Sequence, residues 1–121
     1  MVLIKMHSFN EKKVEEKEPM EVYSRMEEEN DSIKIIDVRE PYEYYGDMGH
    51  VKGSELIPLN ELPEHIDRLK GTGKPIGIIC NSGERSYYAC AFLMDNDLKN
   101  VFNIRGGIIR WHLSGLDVEY D

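Results

Sequence analysis

Apolar residues recur along this chain in short blocks separated by polar turns, and the period within each block predicts its element. Ile33-Lys34-Ile35-Ile36-Asp37-Val38 is nearly continuous in β-branched side chains, the pattern of a parallel strand covered on both faces. Ile76-Gly77-Ile78-Ile79 reads as the strongest strand and Val101-Phe102-Asn103-Ile104 as the last. Residues 55–57 form a weaker strand candidate that Pro58 stops. Between these blocks the spacing turns helical. Met20, Tyr23 and Met26 share one face of a helix over 19–29, with Pro19 in its first turn. Pro41 opens a short helix through Tyr45. Asn60 reads as the cap of a helix to Lys70, with Leu62, Ile66 and Leu69 as its stripe. Residues 86–95 form a further helix, and Gly106-Gly107 turns into a last short one carrying Trp111 and ending near Gly115.

Strand and helix therefore alternate. That order implies right-handed crossovers and an α/β fold, a mainly parallel sheet with helices on both faces. In such sheets the active site lies at the carboxyl ends of the strands. Asp37 to Arg39, Cys80 and Arg105-Gly106-Gly107 all fall at strand ends, so three segments distant in the chain are expected to meet.

Bulk properties narrow the picture. A length of 121 residues suits one domain, and 40% hydrophobic with 31% charged residues suits a well-solvated globular chain. Residues 1–18 join an apolar start to the charge run 11–18 and are expected as a solvated, partly mobile lead-in to a domain over 19–121. Val2-Leu3-Ile4 would alternatively add a strand or cover an edge. This apolar start is too short for a signal peptide or a membrane span. A net charge of −8 argues against nucleic acid or an anionic membrane as partner. The two cysteines make neither a disulfide framework nor a C-x-x-C pair, which favours a reducing compartment and a cytoplasmic protein.

The chemistry gathers at Cys80-Asn81-Ser82-Gly83-Glu84-Arg85-Ser86. A strand, a tight turn and a helix start place Cys80 at the strand tip with turn N–H groups facing its sulfur. Unpaired N–H groups and the helix dipole stabilise negative charge there, so the sulfur is expected as a nucleophilic thiolate. Gly83 permits a positive φ that a side chain resists. Ser82 and Ser86 are placed to donate hydroxyl hydrogen bonds, and Ser86 also to cap the helix. Arg85 either holds the loop closed or meets an anionic donor. Glu84 opposes both thiolate and anionic donors unless it points outward. Cys90 lies among Tyr87, Tyr88, Ala89, Ala91, Phe92, Leu93 and Met94 and reads as core. His50 reads as structural, Trp111 as core or pocket wall, and Asp37 with Arg39 as a pair steadying the loop floor. His7, His65 and His112 show no ligand spacing, and neither metal nor cofactor is expected.

Taken together, five motifs resemble the single-domain rhodaneses, a sulfurtransferase family. They are Asp37-Val38-Arg39-Glu40-Pro41 with Glu43, Gly49-His50-Val51-x-Gly53-Ser54, Ile57-Pro58-Leu59, Cys80-x-x-Gly83-x-Arg85-Ser86, and Gly106-Gly107 with Trp111 and Gly115-Leu116-x-Val118. The resemblance runs from about Pro19 to the C-terminus. It implies five parallel strands flanked by helices, and a persulfide on Cys80 during turnover. Sulfane sulfur would pass from thiosulfate or a persulfide donor to a thiol, cyanide or protein acceptor. The acidic residue in the loop points to weak thiosulfate activity. A dual-specificity phosphatase, related in fold, has C-x5-R preceded by His; here Ile79 precedes Cys80 and the spacing is C-x4-R, a smaller cradle suited to sulfur. The remaining alternative is a non-enzymatic rhodanese-like module that binds a partner or senses redox state.

Overall fold

The computed structural model describes residues 13–121. Its strands are β1 (Glu16–Lys17), β2 (Lys34–Asp37), β3 (Glu55–Leu56), β4 (Ile76–Ile79) and β5 (Val101–Ile104), joined in one sheet of order β1-β5-β4-β2-β3 with every pairing parallel. The helices are α1 (Pro19–Glu28), α2 (Pro41–Tyr44), a 3₁₀ helix (Leu59–His65), α3 (Ile66–Lys70), α4 (Glu84–Asp95) and α5 (Gly107–Leu113). The α/β fold and the five parallel strands stand as expected.

Strand alternation divides the core in two, because successive side chains face opposite sides of the sheet. Ile36, Val38, Ile76 and Ile78 pack with Leu62, Leu69, Ala89, Cys90 and Leu93 under the 3₁₀ helix, α3 and α4. Ile35, Ile79, Phe102 and Ile104 pack with Val22, Ile108 and Trp111 under α1 and α5. Trp111 is a core residue, its indole N–H donating to the Asp117 carbonyl at 3.0 Å. Cys90 is fully buried, and that burial pushes its thiol well above the ordinary range.

Three local expectations are corrected. The segment after Pro58 is not one α-helix capped by Asn60: Asn60 lies inside the 3₁₀ helix. Pro63 has no N–H to give an α-helical bond. The helix after Cys80 starts at Glu84, not Ser86, because Gly83 in the left-handed region (φ 103°) serves as its N-cap. Finally, Glu16–Lys17, inside the charge run, form the edge strand β1, in register with Asn103 and Ile104 of β5. Val2-Leu3-Ile4, the alternative strand, lies outside the described residues.

Candidate active site

The carboxyl ends of β2, β4 and β5 meet as expected. Cys80 follows β4 and is 1% exposed. Its carbonyl accepts the Ile108 N–H at 2.9 Å and the Asn81 carbonyl accepts the Ile109 N–H at 3.1 Å, so the start of α5 pins the loop. That approach requires Gly107: its φ is +62°, and a Cβ there would lie 2.5 Å from the carbonyl oxygens of Cys80 and Asn81. Gly83 is similarly confined, with a Cβ position 3.1 Å from the Gly106 nitrogen.

Three donors reach the Cys80 sulfur: the Gly83 N–H at 3.1 Å, the Ser86 N–H at 3.3 Å and the Ser86 hydroxyl at 3.2 Å. The N–H groups of Glu84 and Arg85 stand beside them in the first turn of α4, where helical geometry supplies no intrahelical acceptor. Ser86 is fully buried and bonds the sulfur and Asn103 rather than capping the helix. Ser82 is exposed, and its hydroxyl donates to Glu84 Oε1 at 3.0 Å rather than to the sulfur. Glu84 is exposed as well, leaving its carboxylate in water.

Arg85 is committed to Glu43 through two parallel bonds of 2.9 and 2.8 Å, the fork geometry in which guanidinium and carboxylate match best. Glu43 Oε1 also accepts the Glu40 N–H at 3.0 Å. The hydrogen bonds from Arg85 hold the Glu43 carboxyl at about 2, against burial, which pushes it up; Arg85 is raised in return, first by Glu43. The pair thus ties α4 to α2. Beneath it Asp37 and Arg39 form a buried fork, with Arg39 Nε and Nη2 donating to the carboxylate at 2.9 and 2.8 Å. Arg39 also donates to the carbonyls of Gly49 at 2.8 Å and Glu43 at 3.3 Å. Sequence reading placed Glu43 in a motif without a role; its partner Arg85 is 42 positions away, and no local pattern signals such a pair. Asn103 and Glu16, which complete the polar chain behind Ser86, were missed as site residues.

The remaining candidates are structural. His50 is buried, stacked on Tyr44 at 3.7 Å between ring centroids, and its Nδ1 meets the Tyr44 carbonyl at 2.8 Å. His112 Nε2 lies 2.6 Å from the Met48 carbonyl, and His65 beside Arg68. Among the described residues, no three His, Cys, Asp or Glu side chains converge as a metal site requires, and no helix is long and apolar enough to cross a membrane.

The chain is similar to known proteins in sequence and fold. A protein of Allochromatium vinosum named sulfurtransferase is 32% identical over 90 residues, 74% of this chain and 81% of its own length. A tRNA uridine(34) hydroxylase of Pelagibacter ubique is 35% identical over 80 residues, 64% of this chain but 26% of that protein. The crystal structure of a rhodanese-related protein from Thermoplasma volcanium superposes with a TM-score of 0.76 at 29% identity, covering 88% of this chain and 99% of that one. Residues 18–114 match the Rhodanese-like domain profile, and a match over that much of the chain makes it a member of the rhodanese-like family.

Proposed function

We propose that the protein is a sulfurtransferase that carries sulfane sulfur as a persulfide on Cys80. The observation that carries this reading is the convergence of three hydrogen-bond donors on one buried sulfur at the first turn of α4. Donors held in place stabilise an anion without having to reorganise when it forms. The Cys80 thiolate attacks the outer sulfur of thiosulfate or of a persulfide. The donor's S–S bond breaks, its electron pair leaves with sulfite or a thiolate, and a new S–S bond joins the sulfur to Cys80. The free N–H groups of Glu84 and Arg85 suit the outer sulfur, an anion near neutral pH. A thiol, cyanide or protein thiolate then attacks that outer sulfur, and the electron pair of the cleaved bond returns to Cys80.

The committed Arg85–Glu43 fork leaves no free cation in the loop for a sulfonate, which supports a persulfide as a better donor than thiosulfate. Intact mass after incubation with thiosulfate, and separately with glutathione persulfide, tests the reading. The expected result is a gain of one sulfur atom that a reductant removes and that Cys80→Ala abolishes. No gain with either donor, from a chain whose Cys80 titrates as a thiolate, would favour a partner-binding or redox-sensing module.

A further inference from the structure

Asn103 sits in the middle of β5, fully buried, where a side-chain amide has no place unless each of its groups is paired. Its Nδ2 donates to Glu16 Oε2 at 2.8 Å and to the Gly83 carbonyl at 3.1 Å. Both are acceptors without a proton to give, so the nitrogen end of the amide must face them. The oxygen end, Oδ1, therefore faces the Ser86 hydroxyl, which lies in short contact with it. That same hydroxyl lies 3.2 Å from the Cys80 sulfur. A serine hydroxyl has one proton and here two acceptors.

We infer that the Ser86 proton is a two-position donor shared between Cys80 and Asn103, and that Glu16 sets its balance by fixing the Asn103 amide. With Cys80 as a thiol, S–H donates to Ser86 Oγ, Ser86 donates to Asn103 Oδ1, and every group is paired. With Cys80 as an anion, the proton turns to the sulfur, where the charge strengthens the bond, and Asn103 Oδ1 loses its partner. The cost of that lost bond opposes ionisation. Glu16 holds the competitor in place from β1, while its other oxygen accepts from Arg105 at 2.9–3.1 Å. Asn103 and Glu16 are positioning residues, since neither touches the reacting sulfur. This inference rests on Cys80 being the reacting group.

Other charges act on the sulfur and enter the test. Arg85, paired with Glu43, acts on Cys80 through its charge, whereas burial keeps the Cys90 thiol neutral. Glu84 stands on the same first turn of α4, and Glu16 with Arg105 flank the β1–β5 side. Removing the Glu16 charge would itself ease ionisation through space, so the hydroxyl's part must be separated from the field.

The test is a titration of thiolate absorbance, differenced against Cys80→Ala, on the full chain with Asn103→Leu, Glu16→Ala and Ser86→Ala, alone and in pairs. Asn103→Leu and Glu16→Ala should each lower the Cys80 midpoint by about half a unit to one unit, the worth of one hydrogen bond. Ser86→Ala should raise it. In the Ser86→Ala background the larger part of both downward shifts should vanish, as coupling through a shared group requires. Downward shifts that persist undiminished without the hydroxyl, or no shift in either variant, would overturn the inference. Glu16 is partly exposed, so Glu16→Ala, which removes the acceptor, keeps the test decisive even if the buried Asn103→Leu fails to fold. The titration needs no sulfur donor: a chain that shows the coupling yet gains no persulfide would refute the transfer reading alone.

Discussion

Glu84 and Arg85 are neighbours on the first turn of α4 with opposite charges and different commitments. Arg85 spends its guanidinium on Glu43, whereas Glu84 stays in water with the Ser82 hydroxyl. An exposed carboxylate is screened, so it perturbs the loop less than a buried one, yet it still faces any dianion that approaches. Replacing it should therefore act on donor binding more than on the sulfur. Glu84→Lys should lower the KM for thiosulfate by about threefold at low salt, with kcat little changed and the gain shrinking as salt is added. Steady-state kinetics at two ionic strengths reads this directly. An unchanged KM would show that the loop's charge does not set donor preference.

Between elements, the decisive contact is the Arg85–Glu43 fork, because it closes the loop at the start of α4 against α2. Its pH dependence has a definite sign. The Glu43 carboxyl is held down to about 2, so the stability it adds is fully present above the ordinary carboxylate range. That stability is lost as pH falls through the folded value. Glu43→Gln should cost about 1 kcal/mol at neutral pH, allowing for solvent around the partly exposed Arg85. The gap between variant and native chain should close progressively between about pH 4.5 and pH 2. Urea unfolding across that range measures it, and a gap independent of pH would assign the cost to packing instead.

The same scale shows what could be read from the chain. β2, β4 and β5 were legible because burial on both faces demands continuous β-branched runs, and the strand-loop-helix around Cys80 followed from Gly83 and its neighbours. β1 was not: two charged residues pairing at a sheet edge are held by backbone bonds and by Glu16's reach to Asn103 and Arg105, neither of which leaves a hydrophobic period. The 3₁₀ helix was hidden because Asn60 mimics a cap while Pro63 alters the bonding three positions later. Ser86 reads from the sequence as a helix cap, yet it lies inside α4 and its hydroxyl meets Asn103, a buried acceptor on another strand that no local pattern signals.

For the molecule as a whole, a net charge of −8 on 121 residues surrounds a site for which we propose anionic sulfur donors. Long-range repulsion slows the approach of a small dianion, and salt relieves it, because the screening length falls from about 30 Å at 0.01 M to about 10 Å at 0.1 M. The local cations do not cancel this field: Arg85 is paired with Glu43, Arg105 with Glu16 and Arg110 with Glu18. If Cys80 turns over thiosulfate, kcat/KM for that donor should rise about two- to fivefold between those two salt concentrations. A persulfide donor with a single negative charge should show a smaller rise, since the field repels it less than a dianion. Running both donors over one salt series separates the field from any effect of salt on the fold. A fall with salt for thiosulfate would mean that the exposed arginines beside the loop attract the donor more than the overall charge repels it.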